Sequence, residues 1–185
     1  LYIVMDEEAK PDNVVNDGPV TSLYKEGKLI GVNIFNISEI VKLKTNGMIV
    51  TPEDTLIDVI NSILEQHHVE KLEKCTSSGY KVMQISKLEE HPIDEKAHIV
   101  TLQCGDTTYQ SVSRYQNLEE GMLVVAILNN VIKFDGTTFH SYIAKNINID
   151  VELCCGKELR VNEEFKEAFV PEGYKHGDDF FLGGN

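Results

Sequence analysis

Between Val20 and Ile37 the chain reads "VTSLYKEGKLIGVNIFNI", two runs rich in Val, Ile, Leu and Phe that meet at Glu26 and Gly27. That pattern predicts a hairpin. Residues 51–68, "TPEDTLIDVINSILEQHH", change period: Leu56, Val59, Ile60, Ile63 and Leu64 recur at helical spacing and form one apolar face. Thr51 is the expected N-cap, Pro52 the first helical residue, and Asp54 follows three positions after the cap. The apolar face is expected to be core, and His67 and His68 at its end suit the helix C-terminus better than a metal.

After "CTSSGY" at 75–80 the helical period disappears and short strands follow one another. Expected strands are "YKVMQISKL" (80–88), "HIVTLQCG" (98–105), "TTYQSVS" (107–113), "MLVVAIL" (122–128) and "IDVELCC" (149–155), with "RYQNLEEG" as a helical or looped connection. Five strands with one connecting element after the third predict an OB-fold. The fold class expected is therefore a small α+β domain over 1–78, then an all-β OB-fold with extra strands over 79–185. The first residue is Leu1 rather than Met, so "LYIVM" reads as the continuation of a strand and the first domain as N-terminally incomplete. The glycine-rich tail "FVPEGYKHGDDFFLGGN" either closes the barrel, bridges to the first domain, or frays.

Charge narrows the function. The net charge is −13, and residues 1–79, 80–159 and 160–185 carry 7, 7 and 3 basic side chains against 13, 11 and 6 acidic ones. Diffuse binding to phosphate backbones is disfavoured, so any nucleic-acid site must be a local patch. No apolar run approaches the roughly 18 residues needed to span a bilayer, which favours a cytoplasmic protein with no membrane partner. Cys75, Cys104, Cys154 and Cys155 lack metal or redox spacing, so neither a cofactor nor a bound metal is expected. Phosphate loops, HExxH and nucleophile elbows are missing from the sequence. One weak catalytic idea pairs Cys104 with His91 or His98. The expectation is a non-enzyme.

The stretch "EEHPIDEKAHIVTLQCGD" at 89–106 puts a histidine, a proline and Lys96 between two strands. "HPIDEK" followed by a strand, then "YQSVS", "LEEGMLVVAIL" and "CCGKEL", resembles the tRNA-binding domain of stand-alone bacterial proteins of the YtpR type. The same domain stands at the N-terminal end of the phenylalanyl-tRNA synthetase beta subunit. His91, Pro92, Asp94 and Lys96 match the family's turn in kind, and Asn117 falls where the family often carries asparagine. "GVNIFNISEIV" at 31–41 is similar to a segment of the N-terminal domain of the YtpR type. Arg114 stands where the family has a glycine. "IAKNINIDVE" at 143–152 keeps Lys145 but lacks the serine, glycine and methionine of the family's final signature.

The resemblance implies a non-catalytic module for tRNA or structured RNA, working through Lys96, Arg114, Asn117, Lys145 and Tyr115. A second copy of the chain or a synthetase-associated protein are further partners to consider. Tyr109, Tyr115 and Tyr142 are candidates to stack on bases, although tyrosine on a strand more often packs. His91 and Pro92 are expected to shape the turn rather than touch RNA. The competing class is a protein-interaction or scaffold module that kept the fold and lost RNA binding.

Overall fold

The computed structural model describes residues 1–6, 8–43, 47–49, 51–163 and 166–183. The chain divides into two compact units, Leu1–Cys75 and Thr76–Asn185. In the first, β1 (Tyr2–Val4), β2 (Asn13–Asp17), β3 (Val20–Lys25) and β4 (Lys28–Ile34) make an antiparallel sheet in the order β1-β4-β3-β2. The predicted hairpin is β3–β4. Its two turn residues, Glu26 and Gly27, both have positive φ, 51° and 78°, which matches the right-handed twist of the flanking strands. The Asp12 carboxylate holds this strained turn by accepting the Glu26 N–H at 3.0 and 3.3 Å.

After the single turn α1 (Ile37–Ile40), helix α2 (Asp54–Gln66) lays Ile60, Ile63 and Leu64 on Val20, Val32 and Ile34. Burying such side chains stabilises by about 1.5–3 kcal/mol each. The expected helix start needs correction. Glu53, not Thr51, is the N-cap, and Pro52 lies outside the helix. The Glu53 carbonyl accepts from Leu56 and Ile57, and Ile57 joins the buried face that the sequence pattern assigned to its neighbours. His67 bonds Asp17 through Nδ1 at 2.9 Å.

The second unit is built on β5 (Tyr80–Glu90), β6 (His98–Cys104), β7 (Thr107–Ser113), β8 (Leu123–Ile127), β9 (Val131–Ile132), β10 (Thr138–Phe139), β11 (Tyr142–Ala144), β12 (Ile147–Ile149) and β13 (Glu152–Leu153). Five of them form one sheet, ordered β13-β8-β5-β6-β7. A bulge between Ile85 and Lys87 lets β5 pair β8 along its first half and β6 along its second, so the sheet curls. The ends approach one another: Ser111 Oγ donates to the Val151 carbonyl at 2.6 Å, and Asp150 N–H to the Gln110 carbonyl at 2.8 Å. Met83, Ile85, Val100, Leu102, Val124 and Val151 fill the interior. The unit is mostly β, with a curled five-stranded sheet consistent with an OB-like fold.

Residues 114–121 are looped. The expected strand over 149–155 is split: Ile149 ends β12, and β13 covers only Glu152 and Leu153. Asp150 causes the break, because its carboxylate turns to accept the Gln110 N–H at 2.8 Å. The tail docks instead of fraying. Val82 N–H donates to the Asp178 carbonyl, Gly177 N–H to Val82 and Phe180 N–H to Tyr80, at 2.8–2.9 Å. These bonds fall on the part of β5 that β6, whose pairing begins at Gln84, leaves unpaired. Phe180 and Phe181 then stack edge-on at 5.0 Å, and Phe181 meets Tyr80 at 5.1 Å. Gly184 and Asn185 lie outside the described residues.

Candidate nucleic-acid interface

Strand pairing sets where charge can gather. Glu90 pairs with His98 and His98 with Ser113, so the 91–97 turn and Arg114 share one end of the sheet. Within the turn, His91 Nδ1 accepts the N–H groups of Ile93 at 3.3 Å and Asp94 at 3.0 Å. The Asp94 carbonyl accepts from Ala97, and His91 N–H closes the loop on the Ala97 carbonyl. Histidine and proline are therefore turn formers here, as their residue types predict.

Asp94 is the hub of the turn. Its Oδ1 accepts the Lys96 N–H at 3.1 Å, while Oδ2 accepts Arg114 Nε at 3.0 Å and Nη2 at 2.7 Å. The guanidinium, and then the Lys96 N–H, hold the Asp94 carboxyl below its ordinary range. Gln116 Nε2 straps the pair by donating to the Lys96 carbonyl at 3.1 Å and the Arg114 carbonyl at 2.8 Å. Lys96 and Arg114 thus belong to one cluster. The Arg114 side chain is 76% exposed, yet its charge is engaged by Asp94. Lys96 is exposed and has no ion pair among the described residues.

The other three predicted residues sit elsewhere. Lys145 and Asn146, both with positive φ, form the tip of the β11–β12 hairpin. That hairpin belongs to the connection leaving the opposite end of the sheet, where Ile127 pairs with Tyr80. Tyr115 is half-buried against the core and donates its hydroxyl to Glu158 Oε2 at 2.9 Å. Burial, helped by the Glu158 carboxylate, pushes that hydroxyl far up. Asn117 clamps Ala168 in both directions at 2.9 Å, fixing the start of the C-terminal segment. Tyr109 packs on the core, whereas Tyr142 is exposed.

The proposed Cys104 pairings are not assembled. Cys104 and His98 stand at opposite ends of β6, roughly 20 Å apart at the usual strand rise. His91 Nδ1 is occupied by the turn, and burial pushes the Cys104 thiol up, the wrong direction for a nucleophile. Among the described residues, no three His, Cys, Asp or Glu side chains gather to hold a metal ion, and no helix is long and apolar enough to cross a membrane.

Two features escaped the sequence pattern. One is the Asp94–Arg114 lock, which joins residues 20 positions apart. The other is the outward face of β6 and β7. Val100, Leu102, Ser111 and Ser113 are buried, so Ile99, Thr101, Gln103, Thr108, Gln110 and Val112 occupy the opposite face. The alternation in "HIVTLQC" and "TTYQSVS" already carries that signal.

A family profile described as a domain of unknown function, DUF4479, matches residues 7–74, within the first unit. YtpR of Bacillus subtilis, named as a candidate tRNA-binding protein, is 28% identical over 154 residues, which is 81% of this chain and 76% of that protein. The chain is a homologue of YtpR. A weaker match joins this chain to the phenylalanine–tRNA ligase beta subunit of Desulfotalea psychrophila, 29% identical over 93 residues, 50% of this chain and 11% of the ligase subunit. Among solved structures, the match to a MetRS-related protein of Pyrococcus horikoshii covers 53% of this chain and 84% of that one, with 14% identity and a TM-score of 0.37.

Proposed function

We propose that the second unit is an OB barrel that binds tRNA or another structured RNA without catalysis, in the cytoplasm. Homology to YtpR over most of both chains carries this reading. The sheet order supports it, because the approach of Val151 to Ser111 brings the last strand beside the third, as an OB barrel requires. Lys96, Arg114 and Lys145 are the phosphate contacts proposed. Thr101, Gln103 and Thr108 lie on the sheet face that OB barrels present to oligonucleotides. Tyr115 and Asn117 act by holding the core and the C-terminal segment in place. The first unit is a small α+β domain, and a second copy or a synthetase-associated protein completes the set of proposed partners.

A salt titration with tRNA is the decisive experiment. About three phosphate contacts give a log–log slope of about −2 to −3. No binding at low salt favours the second reading, a scaffold that lost RNA affinity. That reading draws support from the net charge of −13 and from the engagement of Arg114 by Asp94.

The same lock predicts an unusual gain. Asp94→Asn keeps the Oδ1 acceptor for Lys96 N–H but removes the charge that holds Arg114. Affinity for tRNA at low salt is expected to rise by about 3- to 10-fold, with the salt slope steeper by about one unit, as for one added phosphate contact. The double variant Lys96→Ala, Arg114→Ala is expected to weaken binding to different tRNAs alike, because backbone contacts carry no sequence information. Unchanged affinity in both variants would remove this cluster from the interface.

A further inference from the structure

A cleft of about 290 Å³ opens in the second unit between the 156–162 turn and the segment that Asn117 clamps. At ~30 Å³ per water it has room for about ten waters, or one side chain with a flat polar head. Asn117, Gly156, Asn162, Glu167 and Phe169 line it. A Cβ at Gly156 would collide with the Asn162 side chain, so that glycine lets the amide lie flat on the floor.

The lining is rich in acceptors. Glu167 is exposed and makes no ion pair among the described residues. Asn117 Oδ1 accepts one bond from Ala168 N–H and keeps a second lone pair. Phe169 is half-buried, and Phe180 holds it edge-on at 5.6 Å and 72°. Carboxylate and amide oxygen together suit a cation with several N–H donors.

We propose that this cleft receives an arginine side chain from a basic protein or peptide partner. The chain carries a net charge of −13, and residues 160–185 hold 6 acidic against 3 basic side chains. At this cleft the local excess of acidic side chains draws a guanidinium in and disfavours a phosphate, away from the Lys96–Arg114 cluster. Arginine is favoured over lysine because its planar fork binds a carboxylate with two parallel N–H groups and keeps further N–H donors for the amide oxygen. The cleft is independent of the RNA reading and stands whether or not tRNA binds.

The experiment is an NMR titration of the full chain, following the Asn117 side-chain amide and the Phe169 ring. The probes are an acetylated Gly-Arg-Gly amide, its Gly-Lys-Gly counterpart and guanosine monophosphate. The arginine peptide is expected to shift both sets of signals and to bind at least about fivefold more tightly than the lysine peptide, as the bidentate contact requires. Glu167→Gln, at an exposed position, is expected to lower that affinity by at least about fivefold while leaving the remaining spectrum folded. Absence of shifts, equal response to lysine, indifference to Glu167→Gln, or preference for the nucleotide would each overturn the assignment. Failure of tRNA to bind would bear on the RNA reading alone.

Discussion

Asp179→Ala is expected to destabilise the second unit by about 3–5 kcal/mol, the range for removing one partner of a buried charged network. Asp179 is 6% exposed. Its carboxylate accepts Ser77 Oγ at 3.1 Å, Ser78 N–H at 2.8 Å, Ser78 Oγ at 2.6 Å, and the Phe181 and Leu182 N–H groups at 3.2 and 3.1 Å. Lys81 Nζ lies 3.4 Å away. Alanine removes the acceptor of the buried Ser78 N–H and of the Phe181 and Leu182 N–H groups. Burial pushes this carboxyl up, but the Ser78 bonds and the backbone N–H groups outweigh it, and the net displacement is below the ordinary 3.8. A depressed folded value means that Asp179 stabilises fully above the ordinary carboxylate range. That contribution is lost as pH falls through the lower folded value. Urea unfolding followed by the near-ultraviolet circular dichroism of the tyrosines, Tyr80 among them, reads the effect. Equal midpoints for wild type and variant at pH 7 would refute it, as would an acid-induced loss below the ordinary carboxylate range equally steep in both.

Gly79→Ala is the second large effect, expected at about 2–5 kcal/mol. Gly79 has φ +77°, and a Cβ there would run into the Val131 side chain of β9. A left-handed alanine costs roughly 1–2 kcal/mol, and forcing Val131 aside adds about 1–3 kcal/mol. Gly79 cannot simply move, since its carbonyl accepts the Leu128 N–H at 2.9 Å. Gly105→Ala is the control: φ is +57° and nothing lies within 4 Å, so only the backbone penalty applies. Thermal melts should separate the two. If they fall by the same amount, the contact with Val131 has no energetic weight.

Long alternating strands and the amphipathic helix were legible because their periods are local. The pairs Val100/Leu102 and Met83/Ile85 announce a buried face within a few residues, and Glu26-Gly27 announces its own turn. Helix α2 starts later than expected because Thr51 and Pro52 supply the letters of a cap, whereas the carbonyl that accepts the first bonds is that of Glu53. Strand β2 was missed: all five of its residues are exposed at the sheet edge, so burial leaves no mark on them. The short strands β9–β12 span two or three residues each, less than one readable period. At the interface, the residue types of the 91–97 turn revealed its role. The commitment of Arg114 to Asp94 did not show, because a pair 20 positions apart leaves no periodic trace.

The C-terminal segment that completes β5 has a consequence for the order of events during synthesis. Tyr80 and Val82 are made almost a hundred residues before Asp178 and Phe180, the residues that satisfy their backbone. At about 5–20 residues per second, that interval lasts roughly 5–20 seconds on the ribosome. Throughout it, half of β5 carries unpaired N–H and C=O groups beside the Tyr80 ring. The nascent second unit thus offers an adhesive strand to neighbouring chains until its last stretch emerges. Slow translation through residues 105–175 should therefore increase aggregation, and rapid release of the tail should suppress it.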